Sequence, residues 1–384
     1  MTALDRLVEE RRVVICAGPG GVGKTTCAAA IAMEAARRGK RACVVTIDPA
    51  KRLADALGLE SLTNDARRVD FDGTAERPDG ELWALMLDTK TTFDEVVRRN
   101  AGSPDQAQAI LDNKLYRNIS GALGGTQEYM AMEKLYSLYS EDRFDLIVVD
   151  TPPTRHALDF LDAPNRLLRF LNNRIFRLLM APTRASLRAI GMATQMFLRT
   201  LSRVVGGAVV RDAIAFFTAF EGMEQGFRDR AALVSRLLED PATAFVVVAA
   251  PRRDAVVEAV FFADRLRDSA GRVEALVANR MFPAFGAVPA PLAAAVQGDG
   301  AGGADGAGGA AGAGGAAGAS GLAVLAQNLT DFDRVASREE AHLTELTERL
   351  PGTPVVRVPF LSTDVHDLEG LSRIGGWLFS RGEA

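Results

Sequence analysis

Seven short apolar runs recur along the chain, each bounded by polar or turn-forming residues. They are VVICA (13–17), ACVVT (42–46), LWALML (82–87), LIVVD (146–150), AFVVVAA (244–250), VEALVA (273–278) and PVVRV (354–358). Most are rich in valine and isoleucine without strict alternation, which is typical of strands covered on both faces of a parallel sheet. Helical patterns such as TTCAAAIAMEAARRG (25–39) lie between them. This alternation predicts an α/β fold with a mostly parallel, doubly wound sheet.

Two segments interrupt the alternation of strands and helices. Residues 155–240 have a helical pattern throughout and contain no convincing strand, which predicts a helical insertion after the fourth strand. Residues 298–321 are almost entirely glycine and alanine, and this composition predicts a flexible surface loop because it buries too little apolar surface to offset the entropy of ordering. We therefore expect one domain over 1–384 that carries both insertions.

Composition and charge argue against a nucleic-acid-binding protein and against a membrane-spanning protein. The 384 residues are 48% hydrophobic and 24% charged with a net charge of −4, so no overall basic field favours nucleic acid. No apolar run reaches the roughly 18 residues that a membrane span needs, and the first residues resemble no signal peptide. The three cysteines lie in apolar segments without zinc-site spacing, which indicates buried thiols. We expect a cytoplasmic protein.

A phosphate-binding motif follows the first predicted strand. Residues 18–25, GPGGVGKT, match G-x-x-x-x-G-K-[ST] between a strand and a helix, which is the context that this motif requires. Glycines let backbone N–H groups surround phosphate oxygens, and the helix N-terminus attracts negative charge. Lys24 is placed to reach the β and γ phosphates of ATP, and Thr25 to bind Mg²⁺. The predicted nucleotide-binding residues here are Gly20, Gly21, Val22, Gly23, Lys24, Thr25 and Thr26.

Two aspartates extend this site. Asp150 ends the run FDLIVVD, where an acid at a strand tip would hold Mg²⁺ through water. Asp48 follows the second strand in TIDPAKRLADAL and would bind the metal or activate the attacking water. For both residues the alternative is a helix-capping aspartate, and for Asp48 the following proline makes that alternative as good as the functional one.

These residues resemble the family of ArsA and guided-entry-of-tail-anchored-proteins ATPases, which are P-loop NTPases. The resemblance rests on GPGGVGKTT (18–26), TIDPAKRLADALG (46–58) and VVDTPPTRHALDFL (148–161), with support from WALMLDTKTTFDEVV (83–97), GTQEYMAMEKL (125–135) and VANRMFP (277–283). It implies that Asp48 activates water, that 150–154 sense the γ-phosphate, and that Asn279 contacts adenine. It also implies a dimer that faces across the nucleotide and a helical region that binds cargo.

The chain departs from the family pattern in three ways. Pro19 stands where the family has a signature lysine that reaches the partner subunit's nucleotide. A cation supplied in this way contributes about 10³–10⁵ in rate, so a companion subunit is needed if nothing else replaces it. The zinc CxxC of the eukaryotic tail-anchor relatives is missing, and no cysteine lies beyond Cys43. The second and third departures argue against a zinc-joined dimer and against arsenite transport.

The predicted helical insertion is strongly basic in its first part. Residues 155–211 contain ten arginines, no lysine and two acidic residues, a net charge of +8, beside many leucines, phenylalanines and methionines. Such a stretch would bind a hydrophobic helical protein, or make peripheral contact with acidic lipid head groups. The alternative is that its apolar residues form the insertion's own core and its arginines a solvated surface.

Three functions remain open from the sequence. The first is a Mg²⁺-dependent ATPase whose nucleotide state controls dimer opening and a helical partner-binding surface. The second is a regulatory ATP-binding subunit of a hetero-oligomer that hydrolyses little ATP alone, as Pro19 favours. The third is a DNA-partition-type ATPase, against which the long apolar insertion argues.

Overall fold

A computed structural model describes residues 2–48, 52–71, 78–117, 126–173, 207–268, 272–286 and 313–379. The strands are β1 (Val13–Ala17), β2 (Arg41–Thr46), β3 (Arg67–Arg68), β4 (Glu81–Met86), β5 (Leu146–Asp150), β6 (Thr243–Ala249), β7 (Val273–Met281) and β8 (Val355–Pro359). The helices considered below are α1 (Ala3–Glu10), α2 (Lys24–Arg37), α3 (Arg52–Ala56), α4 (Thr89–Asn100), α5 (Pro104–Leu111), α6 (Thr126–Ser140), α7 (Thr154–Asn172), α8 (Gly207–Phe220), α9 (Glu224–Glu239), α10 (Arg253–Asp268), α11 (Ala313–Arg349) and α12 (Leu368–Leu378).

The eight strands form a single sheet in the order β3-β4-β2-β5-β1-β6-β7-β8. All neighbouring pairs are parallel except β3 and β4, which are antiparallel at one edge. The predicted mostly parallel α/β fold is confirmed, and each of the seven apolar runs forms a strand. Six strands lie within one residue of their predicted bounds, and β7 ends three residues beyond its predicted end. The pattern missed β3 because its two residues are exposed arginines, which give no hydrophobic signal.

Helices cover both faces of the sheet. Alternate residues of each strand point to opposite faces, so Val14 of β1 belongs to a core cluster with α1, α2, α3 and α12. Its neighbour Ile15 belongs to a second cluster, which packs against α6, α9, α10 and α11. Covering on both faces explains why the central strands are apolar throughout. The carboxyl ends of β1, β2 and β5 are thereby held in fixed positions beside one another.

The region after β5 is helical wherever it is described. The helices α7, α8 and α9 contribute to a third core cluster together with α4, α5 and α6. Phe217, Phe220 and Phe227 are buried there and form an internal core, but they follow the arginine-rich stretch 155–211, for which both alternatives stay predictions. Residues 174–206, which hold most of the predicted arginine-rich surface, lie outside the described residues. The boundaries of the insertion at 155–240 stay a prediction.

The predicted Gly/Ala loop needs one correction. Helix α11 begins at Ala313, so residues 313–321 of the segment assigned to a loop (298–321) are helical. Alanine has the highest intrinsic helix propensity, and these residues continue into a long amphipathic helix that packs on the sheet. Residues 298–312 lie outside the described part of the chain. Among the described helices, none is both long enough and apolar enough to cross a membrane.

Gly18 marks a close approach between the end of β1 and the neighbouring strand β6. A Cβ atom at Gly18 would lie 2.0 Å from the backbone carbonyl oxygen of Val248. We expect Gly18→Ala to lower the free energy of unfolding by about 1–3 kcal/mol or more, because backbone atoms of a central strand would have to move. The measurement is the urea unfolding midpoint followed by circular dichroism.

Gly20→Ala is the matched control for Gly18→Ala within the same loop. Its Cβ would meet only the Pro153 side chain at 3.8 Å, an ordinary van der Waals distance. We expect this variant to keep the wild-type midpoint. Equal midpoints for the two variants would contradict the close packing of Gly18 against β6.

Candidate functional site

The candidate site lies at the carboxyl ends of the central strands, where parallel α/β sheets bind their ligands. The loop 18–23 leaves β1 and ends where α2 begins at Lys24. Gly21 and Gly23 have φ values of +74° and +91°, which residues other than glycine rarely adopt. These conformations let the loop turn back on itself and present the N-terminal N–H groups of α2, which have no partner within the helix.

Lys24 is held within the loop that it follows. Its Nζ donates a hydrogen bond of 2.8 Å to the carbonyl oxygen of Pro19, and the residue is buried. Burial lowers the pKa of Lys24, while the charges of Asp150 and Asp48 act in the opposite direction. The amine is thus held by the loop, and Lys24 lines the cleft together with both aspartates.

The two carboxylate oxygens of Asp150 lie in different surroundings, since one accepts hydrogen bonds and the other does not. Its Oδ2 accepts hydrogen bonds from the hydroxyls of Thr25 at 2.7 Å and Thr46 at 2.9 Å. Its Oδ1 is buried and accepts no hydrogen bond from any described residue. Burial raises the pKa of Asp150 to about 6, against the hydrogen bonds and Lys24, which lower it. A buried carboxylate oxygen without a donor, beside the Thr25 hydroxyl, fits a site for Mg²⁺.

The helix-capping alternative does not hold for Asp150. The helix that follows, α7, begins at Thr154 and its N-cap residue is Pro153. Asp150 is instead the last residue of β5, with its side chain directed toward the phosphate loop. Thr151, next along the chain, donates from its hydroxyl to the carbonyl oxygen of Cys16 at 2.9 Å. The segment after β5 is therefore attached directly to the end of β1.

Asp48 lies at the rim of the same cleft. The hydroxyl of Thr46 accepts a hydrogen bond from the Asp48 N–H at 3.3 Å, so Thr46 contacts both aspartates. The Asp48 carboxylate lies 3.7 Å from the Arg52 guanidinium, and its side chain is 28% exposed. It is accessible to water, and its charge acts on both Asp150 and Lys24. The alternative that Asp48 caps a helix depends on residues 49–51, between Asp48 and α3, which lie outside the described residues.

Asn279 lies behind the phosphate loop. Its Nδ2 donates to the carbonyl oxygen of Val22 at 2.8 Å, and the residue is buried. A Cβ at Gly23 would lie 2.2 Å from the same nitrogen, so glycine at that position makes room for the amide. Asn279 thus supports the loop from the end of β7, and its predicted contact with adenine stays a prediction.

The cleft has a volume of about 430 Å³ and joins distant parts of the chain. The residues that line it are Gly21, Gly23, Lys24, Thr25, Thr26, Asp48, Arg52, Asp55, Ala56, Asp150, Thr151, Pro153, Arg280, Asp364, Val365 and His366. Gly20, Val22 and Asn279 of the predicted set do not line it, although Gly20 and Val22 belong to the loop.

Sequence reasoning missed several of these lining residues. Arg280 has a φ of +64° beside an irregularity in the pairing of β7 with β8, and its guanidinium donates to the Gly21 carbonyl oxygen at 3.1 Å. Residues 364–366 reach the cleft from the loop before α12. Arg280 lies within VANRMFP (277–283), but only its neighbour Asn279 was assigned a role there, and residues 364–366 carry no motif. Thr46, which contacts both aspartates but does not line the cleft, left a signal as a polar residue at the tip of an apolar strand.

Comparison with known proteins identifies the family. The family model described as anion-transporting ATPase, ArsA ATPase, matches residues 11–289, which include the phosphate loop, both aspartates and Asn279. The chain belongs to the ArsA ATPase family. The family resemblance drawn from the motifs is thereby confirmed, and the parallel α/β sheet with its phosphate loop is a P-loop NTPase fold.

Individual relatives in the ArsA group match over less than half of this chain. The ATPase GET3 of Kluyveromyces lactis is 32% identical over 168 residues, which are 42% of this chain and 47% of that protein. A putative arsenical pump-driving ATPase of Halobacterium salinarum is 33% identical over 178 residues, 43% of this chain and 26% of that protein. The ATPase get3 of Aspergillus terreus is 28% identical over 172 residues, 44% of this chain and 48% of that protein. The matched regions thus span about half or less of these relatives.

Proposed function

We propose that this ArsA-family chain binds ATP with Mg²⁺ and hydrolyses it, and that its nucleotide state is coupled to a dimer and to a helical partner-binding surface. The observation that carries the proposal is the arrangement of Lys24, Thr25 and Asp150 around one cleft at the carboxyl ends of β1 and β5. A lysine amine, a helix N-terminus and a hydroxyl–carboxylate pair are the groups that P-loop enzymes use to hold a nucleoside triphosphate and its metal.

Each group has a defined task in this proposal. The Lys24 amine exchanges the Pro19 carbonyl oxygen for the β and γ phosphate oxygens, with the N–H groups at the start of α2 beside it. Thr25 and Asp150 hold Mg²⁺, Asp150 through water, and Asp48 is a further candidate ligand. Bound Mg²⁺ would neutralise charge that develops on the phosphate oxygens. Asp48, at the rim and accessible to solvent, orients a water molecule toward the γ-phosphorus.

The coupling to partners rests on how the helical region is joined to the cleft. Helix α7 begins at Thr154, directly after residues 150–153 that border the phosphate site, and it packs into the third core cluster with α8 and α9. A displacement of 150–153 by the γ-phosphate would therefore move α7. The partner that we propose for the helical surface is a hydrophobic helical protein. The assembly that we propose is a cytoplasmic complex of two related ATPase subunits. Peripheral membrane contact is the remaining alternative for the arginine-rich stretch.

A regulatory ATP-binding subunit is the second candidate, favoured by Pro19. A proline at this loop position carries no positive charge, so a homodimer would lack the cation that relatives supply from that position. As a regulatory subunit the chain would bind ATP normally, and ATP would be hydrolysed only when a companion subunit is present. The arginine content of 155–211 supports the DNA-partition alternative, but the long apolar insertion argues against it.

Phosphate release from Mg²⁺-ATP by the purified chain tests the first candidate against the second. We expect steady turnover by the chain alone, which stops when EDTA removes Mg²⁺. Binding of ATP without phosphate release would select the regulatory candidate, and turnover that returns on addition of a second ATPase subunit would identify the companion. A chain that binds no ATP would contradict both.

A further inference from the structure

A second cavity of about 340 Å³ lies beside the phosphate loop, separate from the cleft. Its walls include Pro19, Gly20, Pro153, Arg252, Asp254 and Glu258. Pro153 lines both this cavity and the cleft, and a Cβ at Gly20 would lie only 3.8 Å from the Pro153 side chain. Pro153 is therefore the residue that the two spaces share, and it lies close to Gly20 of the loop.

The cavity borders the end of the loop where a terminal phosphate would bind. The Pro19 carbonyl oxygen accepts the hydrogen bond from the Lys24 amine at 2.8 Å, and this amine is the group that reaches the β and γ phosphates in P-loop proteins. Pro19 is also part of the cavity wall. A phosphate group that replaces this carbonyl oxygen on Lys24 would lie next to the opening of the second cavity.

Among the described residues that line this cavity, Arg252 is the one with a positive charge. Its guanidinium contacts the Asp254 carboxylate through Nη2 to Oδ2 at 2.8 Å and Nε to Oδ1 at 3.3 Å. The two side chains are 68% and 69% exposed. Exposed ion pairs of this kind are weak, so a phosphate group with two negative charges can replace Asp254. Until then the Asp254 carboxylate holds the guanidinium at the cavity wall.

We propose that Arg252 leaves Asp254 and binds the terminal phosphate of the ATP held by its own subunit, and so adds a positive charge beside a loop in which Pro19 offers none. The inference rests on the proposed function of ATP binding. Arginine suits this task because its planar guanidinium donates two parallel hydrogen bonds to phosphate oxygens. In hydrolysis the water oxygen bonds to the γ-phosphorus while the bond to the bridging oxygen breaks. The electron pair stays with ADP, the water proton passes by way of the Asp48 carboxylate to the released phosphate or to solvent, and Arg252 only donates hydrogen bonds.

The test compares ATP with ADP, because ADP lacks the phosphate that Arg252 would contact. Isothermal titration calorimetry with Mg²⁺-ATP and Mg²⁺-ADP is applied to wild type, Arg252→Ala and Arg252→Lys. We expect Arg252→Ala to weaken ATP binding about ten-fold and ADP binding less than two-fold. Arg252→Lys keeps the charge and should restore most of the preference for ATP. Arg253→Ala is the matched control, since Arg253 is exposed and adjacent but does not line the cavity.

The outcomes separate this inference from the proposed function. A wild-type chain that binds ATP, with an unchanged ratio of ATP to ADP affinity in Arg252→Ala, overturns the role of Arg252 alone. An equal loss in Arg253→Ala overturns it as well, because a general change in surface charge would then explain the result. A wild-type chain that binds neither nucleotide overturns the proposed function and this inference with it. Circular dichroism checks that each variant is folded. Replacement of an exposed side chain such as Arg252 changes the free energy of unfolding little.

Discussion

Lys24→Ala is expected to lower the affinity for ATP by about 10- to 150-fold, because it removes a charged donor from the phosphate cleft. The amine of Lys24 is buried and oriented by the Pro19 carbonyl oxygen, so it is already placed for phosphate oxygens and loses little entropy on binding. Phosphate release should fall further, since the same charge also stabilises the transition state. Titration calorimetry and a phosphate-release assay measure the two effects.

The control for Lys24→Ala is Lys90→Ala. Lys90 forms an exposed ion pair with Asp94 on α4 and lies outside the cleft. We expect wild-type ATP affinity for this variant. Because Lys24 is buried, circular dichroism must show that Lys24→Ala is folded before its affinity is interpreted. A folded Lys24→Ala protein with unchanged ATP affinity would show that the loop is not the phosphate site.

Asp48→Asn is expected to keep ATP affinity within a few-fold and to lower turnover by about 100-fold or more, the range for loss of a general base. The amide has the same shape as the carboxylate but cannot accept a proton from water. Removing the charge also relieves the repulsion that Asp48 exerts on Asp150, so nucleotide binding should not suffer. Phosphate release at saturating Mg²⁺-ATP gives the turnover, and calorimetry gives the affinity.

Asp55→Asn is the matched control for Asp48→Asn. Asp55, on α3, is another acidic residue of the cleft wall, and no role in hydrolysis follows from its position. We expect normal turnover for this variant. If Asp48→Asn turns over at the wild-type rate, Asp48 is a helix-capping residue and another group activates the water. If Asp55→Asn is equally impaired, the effect reflects the overall charge of the cleft.

Comparison of the two aspartates shows where sequence reasoning stopped. Both were placed at strand tips, and for both a helix-capping role was an alternative. The structure excluded that alternative for Asp150, since α7 starts at Thr154 after the N-cap Pro153. It also identified Thr46 as the residue that contacts both aspartates, because the parallel pairing of β2 with β5 sets Thr46 opposite Asp150. Strand register is a property of the whole sheet and is not encoded in either segment alone.

The sequence alone determined those features of this protein that depend on neighbouring residues. Continuous apolar runs predicted the buried strands, since a strand covered on both faces has no polar side. The spacing GPGGVGKT predicted the phosphate loop, since its glycines, lysine and threonine act within one turn between β1 and α2. The Gly/Ala composition of 298–321 predicted a loop, but residues 313–321 belong to α11 in the structure. Packing of a long helix adds to the local helix propensity, and the composition alone does not reveal that packing.

Only the tertiary structure decided which distant residues meet at the site. The strand order brings β7 and β8 to the same sheet edge as the loop after β1, so Arg280 and residues 364–366 line the cleft although they lie more than 250 positions from it. The start of α10 meets Pro19 in the second cavity for the same reason. Such contacts follow from the packing of the whole sheet, because all its strands bury their apolar surface together. A single segment of sequence therefore does not show which distant residues it will contact.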